Sequence, residues 1–91
     1  MAFVVFAYDI SDNRRRTRVA TFLEKNAVRI QGSVFEAVLS NARMAAVVGR
    51  LEELMMPGDL LRVYRLPEGA AGNIAWIGGA PPQALPGAWI L

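Results

Sequence analysis

The sequence predicts a small α+β domain whose elements follow one another in the order β-α-β-β-α-β. A short apolar and aromatic run, residues 3–9, opens the chain of 91 residues, and two segments with helical apolar spacing follow it. Between those segments, two strand-like runs are separated by Gly32 and Ser33 alone. This order is that of the ferredoxin-like split β-α-β arrangement, in which both helices cover one face of the sheet.

The first predicted strand, residues 3–9, is apolar on both of its faces and ends at Asp9. Such a run is typical of a central strand that is covered on both sides. Asp9 therefore lies at the carboxyl end of a central strand, where open α/β sheets tend to place their ligands. Because the two helices cover one face only, we expect a second copy of the chain to cover the other face and form a homodimer.

The first helix is predicted to begin near Asp12 or Asn13, either of which can cap it, and to end near Lys25. Four arginines crowd its first turns: Arg14, Arg15, Arg16 and Arg18. A cation in the first turn of a helix opposes the helix dipole at a cost of about 0.3–1 kcal/mol if exposed. Bound phosphate offsets that cost, because free amide groups at a helix start favour anions; a solvated basic turn is the other interpretation.

Charge is also uneven along the whole chain. Residues 1–31 carry six basic and three acidic residues, whereas residues 32–91 carry four basic and five acidic ones. Nine of the ten basic residues are arginines, which favours a surface that faces phosphate groups.

The remaining elements are predicted from turn and cap signals. Residues 28–31 and 34–39 read as two strands joined by a hairpin turn of the II′ kind. Ser40 or Asn41 caps the second helix, and residues 60–66 form the fourth strand. The apolar positions of the second helix fall at helical spacing: Met44, Val47, Val48, Leu51, Leu54 and Met55.

Residues 1–66 are therefore predicted to form the core domain, and residues 67–91 an extension rich in Gly, Ala and Pro. The extension contains a short strand at about 73–77 and an apolar tail. Addition of this strand to the sheet of a partner protomer is one prediction. Folding of the tail onto its own domain is the alternative.

Composition excludes several kinds of chemistry. The chain has no cysteine and no histidine, which removes disulfides, thiolate or histidine catalysis, and zinc sites that need those ligands. Any enzymatic activity is thereby directed toward a hard metal ion held by oxygen atoms. The first apolar run is too short to span a membrane and has no basic segment before it, so we expect a soluble, cytoplasmic protein.

Asp9 is the candidate ligand for such an ion. Magnesium commonly uses one or two carboxylates together with waters and substrate phosphates, and a two-fold axis near Asp9 would bring this residue from both chains to one ion. That ion would stabilise charge on a scissile phosphate. Alternatively, Asp9 only caps a turn.

Glu36 can face either solvent or the metal. Tyr8, Ser33 and Phe35 are neighbours in the predicted fold, and Phe35 is either a core residue or a platform for base stacking.

The order and spacing of several motifs resemble the family of small CRISPR-associated adaptation nucleases, CRISPR-associated protein two. The resemblance covers about residues 1–66. The motifs that carry it are Tyr8-Asp9-Ile10-Ser11-Asp12, Arg14-Arg15-Arg16, Arg18-Val19-Ala20, Arg29-Ile30-Gln31, Ser33-Val34-Phe35-Glu36 and Arg62-Val63-Tyr64.

The resemblance implies a ferredoxin-like homodimer whose carboxy-terminal strand crosses onto the partner, with Mg²⁺ between the two Asp9 residues. It implies metal-dependent cleavage of single-stranded RNA or double-stranded DNA during spacer acquisition. Residues that support activity or substrate binding in the family fall at Tyr8, Arg16, Arg18, Arg29 and Phe35. Gly32 departs from the bulkier residue of many members. The resemblance also implies a complex with the large integrase subunit, so a non-catalytic DNA-binding adaptor is the alternative function.

Overall fold

The computed structural model describes residues 1–67 and 74–79, together with the backbone of residues 89–90. The core elements follow the predicted order and are β1 (Ala2–Asp9), α1 (Asn13–Glu24), β2 (Val28–Gln31), β3 (Val34–Leu39), α2 (Asn41–Leu54) and β4 (Leu60–Leu66). Two short strands follow, β5 (Ala75–Trp76) and β6 (Trp89–Ile90).

The four core strands form one sheet in the order β2-β3-β1-β4. Every neighbouring pair in it is antiparallel. β1 therefore pairs on both sides, with β3 and with β4, and the prediction of a central first strand is confirmed. The order and directions of these strands confirm the predicted ferredoxin-like α+β fold.

Both helices pack against one face of this sheet. Alternate residues of β1 and β3 point to that face and are buried with residues of α1 and α2 in one cluster that includes Val4, Phe6, Tyr8, Phe35, Ala37, Val19, Leu23, Val47 and Leu51. Burial of such side chains contributes about 1.5–3 kcal/mol each before the conformational entropy cost is subtracted. The intervening residues point to the opposite face, which we call the second face; in β1 they are Phe3, Val5, Ala7 and Asp9.

Side-chain caps begin both helices where the sequence predicts them. The Asp12 carboxylate accepts the backbone N–H of Arg15 at 2.8 Å, and the Ser40 hydroxyl accepts that of Arg43 at 3.1 Å. Of the two candidates for each cap, the structure selects Asp12 and Ser40. α1 thus begins at Asn13, directly after the loop that leaves Asp9.

The β2–β3 hairpin turns at Gly32, whose φ of +31° lies in the region that glycine adopts most readily. The register shifts between Arg29 and Gln31. This irregularity precedes the turn and leaves Arg29 opposite Phe35 on the helix-covered face.

In the extension, β5 lies inside the predicted 73–77 strand and pairs in parallel with β6. Asn73 and most of the predicted apolar tail lie outside the described residues. Pairing of this strand with a partner protomer stays a prediction, as does the boundary between core and extension at residue 66, where β4 ends. Among the described residues, neither helix is long and apolar enough to cross a membrane.

Candidate functional site

Asp9 lies at the carboxyl end of β1 with its side chain exposed. Its cross-strand neighbour is Leu60, the first residue of β4. Because successive residues of a strand point to opposite faces, Tyr8 enters the core beside the helices and Asp9 belongs to the second face. The predicted metal ligand is therefore accessible to solvent at the end of the central strand.

The donor chemistry at Asp9 fits a hard divalent cation, although one chain supplies only part of a coordination shell. Carboxylate oxygens are the ligands that Mg²⁺ prefers, and Mg²⁺ commonly takes its remaining ligands from water and phosphate. In the part of the chain that the structure describes, no three acidic residues converge on one point. An ion held by Asp9 would therefore need further oxygen atoms from water, a nucleic-acid phosphate or a second copy of the chain.

Arg15 is already bound to a carboxylate of its own chain. Its Nε lies 2.6 Å from Oδ2 of Asp59, and its Nη2 lies 2.9 Å from Oδ1 of the same residue. The Asp59 side chain is only 4% exposed, and it also accepts the backbone N–H of Met56 at 2.9 Å. The hydrogen bonds from Arg15 and then from Met56 hold the pKa of Asp59 below its usual range. Arg15's predicted contact with substrate stays a prediction.

Arg16 binds the loop that follows β1. Its Nη1 donates to the carbonyl oxygens of Ile10 at 2.9 Å and Ser11 at 3.3 Å, and its Nη2 donates to the side-chain oxygen of Asn13. Two of these acceptors are backbone groups of the loop itself. Arg16 therefore fixes the path of the chain between Asp9 and α1, and it remains exposed to solvent beyond these contacts.

A cleft of about 560 Å³ opens between α1, the end of β1 and the β2–β3 turn. It brings together four of the predicted binding residues: Tyr8, Arg16, Arg29 and Ser33. The rest of its lining is formed by Thr17, Ala20, Thr21, Glu24 and Gly32. With two guanidinium groups, two threonine hydroxyls and one carboxylate, the cleft can bind a phosphate or a polar base edge.

The Phe35 ring lies beneath the cleft and contacts both Tyr8 and Arg29. Its side chain is fully buried, the Tyr8 ring stacks on it at a centroid distance of 6.2 Å, and the Arg29 guanidinium lies 5.1 Å from its centroid. Of the two interpretations of Phe35, the structure favours the core residue. Its ring positions Tyr8 and Arg29, and contact of the Phe35 ring itself with a nucleobase would require movement of those two residues.

Arg14 and Arg18 lie on the outer surface of α1, both exposed. Among the described residues, neither guanidinium has a hydrogen-bond or ion-pair partner, in contrast to Arg15, Arg16 and Arg29. Arg29 is paired only loosely, because its Nη2 lies 3.4 Å from Oε1 of Glu24 with both side chains about half exposed. The predicted arginine cluster thus divides into arginines bound within the fold and arginines open to a ligand.

The second face is mostly apolar, and Glu36 is the least exposed of its charged side chains. Glu36 is paired across the sheet with Val5 and with Val28. Burial raises the pKa of this carboxyl above its usual value. Strand positions are about 3.3 Å apart, so Glu36 lies more than 10 Å along the sheet from Asp9, and within one chain the two carboxylates do not form a common site.

Sequence reasoning missed Asp59 and the lining residues of α1. Thr17, Thr21 and Glu24 share one helical face with Ala20 because they are three or four residues apart, so helical spacing from Arg16 onward could have indicated them. Asp59 had no such signal, because it contacts a residue 44 positions away.

The sequence profile of the family described as CRISPR associated protein Cas2 matches residues 1–74. A protein of Thermus thermophilus named CRISPR-associated endoribonuclease Cas2 is 44% identical over 77 residues, which are 84% of this chain and 82% of that one. A Mycobacterium tuberculosis protein of the same name is 41% identical over 64 residues, 70% of this chain and 57% of that one. The chain therefore spans little more than half the length of this second relative.

Solved structures share the fold. A crystal structure of a Cas2 protein superposes with a TM-score of 0.74 at 25% identity, covering 91% of each chain. A chain in a partial Cas6-RT-Cas1–Cas2 complex superposes with a TM-score of 0.65, covering 75% of this chain and 81% of that one. At 23% identity, the second likeness concerns the fold alone.

Proposed function

This chain belongs to the family of CRISPR-associated Cas2 proteins, and on that premise we propose that it is a metal-dependent endonuclease that hydrolyses phosphodiester bonds of single-stranded RNA or double-stranded DNA. The observation that carries the proposal is the exposed carboxylate of Asp9 at the carboxyl end of the central strand. The name endoribonuclease, given to the relatives from T. thermophilus and M. tuberculosis, makes single-stranded RNA the first substrate to test.

Asp9 is the residue that would hold Mg²⁺. When bound, the ion supplies electrostatic stabilisation of the charge that develops on a phosphate under attack. Asp9 of a second protomer is the natural source of another carboxylate, because the second face is apolar and suited to cover by another copy of the chain. The metal, the homodimer and the shared Asp9 pair belong together in this proposal.

The arginines and the cleft would hold the nucleic acid. Arg14 and Arg18, which have no partner within the described part of the chain, offer their guanidinium groups to phosphates along the outer surface of α1. Arg16 and Arg29 line the cleft beside Tyr8 and Ser33, where a phosphate or base next to the scissile bond can bind. These contacts address the sugar–phosphate backbone, which explains how one surface can serve RNA and DNA.

The test compares Asp9→Asn with the wild type on labelled single-stranded RNA and on duplex DNA in Mg²⁺. Cleavage should fall by about 10²-fold or more, since a catalytic metal contributes several kcal/mol to the transition state. Duplex affinity measured in EDTA should stay within about threefold, because Asp9 adds no positive charge to the binding surface. Glu53→Gln, which removes an exposed ion pair with Arg50 on α2, is the matched control.

Two outcomes would contradict the proposal. Equal cleavage by wild type and Asp9→Asn would show that the carboxylate is dispensable for hydrolysis. Loss of cleavage and duplex binding together, with a lowered melting temperature, would show that Asp9 stabilises the strand end instead.

A second candidate function is a non-catalytic DNA-binding adaptor that bridges dimers of the large CRISPR integrase subunit. The specific observation in its favour is that Arg14 and Arg18 are exposed on α1, which covers one face of the sheet, whereas Asp9 belongs to the second face, so a duplex can be held without any hydrolysis. The fold also occurs in a protein solved within a Cas1–Cas2 assembly. Under this function, Asp9→Asn would copurify with the integrase and support spacer integration at the wild-type level. Arg14→Gln with Arg18→Gln would also copurify with the integrase, but it would support less integration because it holds the duplex less tightly.

A further inference from the structure

We propose that the ion pair between Arg15 and Asp59 is a positioning device for the Asp9 carboxylate, an inference that rests on the proposed metal site. Neither residue is exposed like the neighbouring arginines, and neither reaches the predicted ligands directly. Their role follows from the chain segments that they join.

The pair links the start of α1 to the start of β4. Asp59 immediately precedes Leu60, and Leu60 is the cross-strand partner of Asp9. A displacement of Asp59 therefore moves the residue against which the end of β1 is registered. The two hydrogen bonds, at 2.6 and 2.9 Å, form a bidentate pair, which fixes orientation as well as distance.

Arg15 also fixes the other end of the Asp9 segment. Its backbone N–H donates to the Asp12 carboxylate at 2.8 Å, and its Nη1 lies 3.9 Å from the same carboxylate. Asp12 is three residues beyond Asp9. The Arg15–Asp59 pair thus connects the residue opposite Asp9 with the cap that ends the loop after Asp9, so the chain is tied together on both sides of Asp9.

The burial of Asp59 makes the connection rigid. Its side chain is 4% exposed, and both oxygens are engaged by Arg15 while one also accepts the N–H of Met56. Exchange of Arg15 for water at this carboxylate would break two charge-assisted hydrogen bonds at once. Metal ligands must be held to within about 0.5 Å by supporting contacts if the site is to bind well. This pair supports the end of β1 from the β4 side, whereas Arg16 supports the loop after β1 through the carbonyl oxygens of Ile10 and Ser11.

The experiment uses the full chain and measures Mn²⁺ binding by electron paramagnetic resonance, alongside cleavage over a Mg²⁺ titration. Asp59→Asn keeps the size of the side chain and removes its charge. Arg15→Lys keeps the charge and removes the planar guanidinium group that donates both hydrogen bonds. Both should weaken Mn²⁺ binding by about tenfold, as loss of a supporting contact around a metal ligand typically does, and raise the Mg²⁺ needed for half-maximal cleavage. Duplex affinity in EDTA should not fall, since Arg15 is not open to phosphate. Glu53→Gln should leave all three measurements unchanged.

The inference would be overturned if Arg15→Lys and folded Asp59→Asn both bound Mn²⁺ with wild-type affinity while Asp9→Asn did not bind it. The pair would then contribute to stability alone. Mn²⁺ binding that does not depend on Asp9 would overturn it as well. If Mn²⁺ binding depends on Asp9 and Asp59 but wild type cleaves neither RNA nor DNA, the nuclease proposal fails and the positioning role stands. Should Asp59→Asn not fold, the Arg15→Lys comparison decides.

Discussion

Replacing Arg14 and Arg18 together by glutamine should reduce the salt dependence of duplex binding. These two guanidinium groups lie exposed on α1, and each is free of partners among the described residues. Arg15, between them in sequence, is bound by Asp59. The expected difference between these arginines comes from the fold and not from their residue type.

The magnitude follows from counterion release. Each phosphate contact contributes about 0.9 to the slope of log affinity against log salt for duplex DNA. Loss of two contacts should therefore reduce the slope by about 1.8. Between 50 and 200 mM salt, a change of about 0.6 in log salt, wild-type affinity should then fall about 12-fold more than the affinity of the double variant.

The assay is fluorescence anisotropy of a labelled duplex at several salt concentrations in EDTA, with sequences of different composition. Arg50→Gln is the matched control, because it also replaces an arginine by glutamine, on α2, where that arginine pairs with Glu53. This control should keep the wild-type slope. An unchanged slope in the double variant, or an equal reduction in Arg50→Gln, would refute the assignment of phosphate contacts to the outer surface of α1.

Two further predictions concern stability. Because burial raises the pKa of Glu36 above its ordinary 4.5, the folded chain binds that proton more tightly than the unfolded chain, and the free energy of unfolding should fall as pH rises from about 4.5 through the folded-state pKa. Glu36→Gln should therefore be more resistant to urea than wild type at pH 7 but not at pH 4. An equal gain at both pH values would count against this explanation. Gly32→Ala should lower the free energy of unfolding by about 1 kcal/mol through backbone strain at its positive φ; a steric clash does not contribute, because nothing lies within 4 Å of the added Cβ. Gly32→Asn should lower it less. A urea midpoint of Gly32→Ala equal to that of wild type would mean that the turn relaxes.

The elements of the fold could be predicted because their signals are local. The caps Asp12 and Ser40 act on residues three positions away, and the apolar stripes of both helices repeat every three or four residues. The central place of β1 followed from its apolar character on both faces. Each of these signals is contained within one element, so a single sequence carries it.

Which of the arginines are bound within the fold and which are open to a ligand could not be predicted in the same way. Arg14, Arg15, Arg16 and Arg18 lie in the first turns of α1 and share one residue type. Their surroundings differ because Asp59, remote in sequence, binds Arg15 and, in the described part of the chain, none of the other three. Phe35 shows the same limit: composition allowed a core residue or a stacking platform, and only the register of β3 against β1 and β2 places its ring beneath Tyr8 and Arg29.

The alternation of Tyr8 and Asp9 along β1 makes the protein sensitive to a particular kind of mutation. Point substitutions can alter the cleft or the carboxylate separately, since the thickness of the sheet divides them. A one-residue insertion in β1 would exchange their sides, driving an acid beneath the helices and a tyrosine into the opposite surface. Changes in length should therefore be tolerated poorly in this strand compared with the open turn at Gly32.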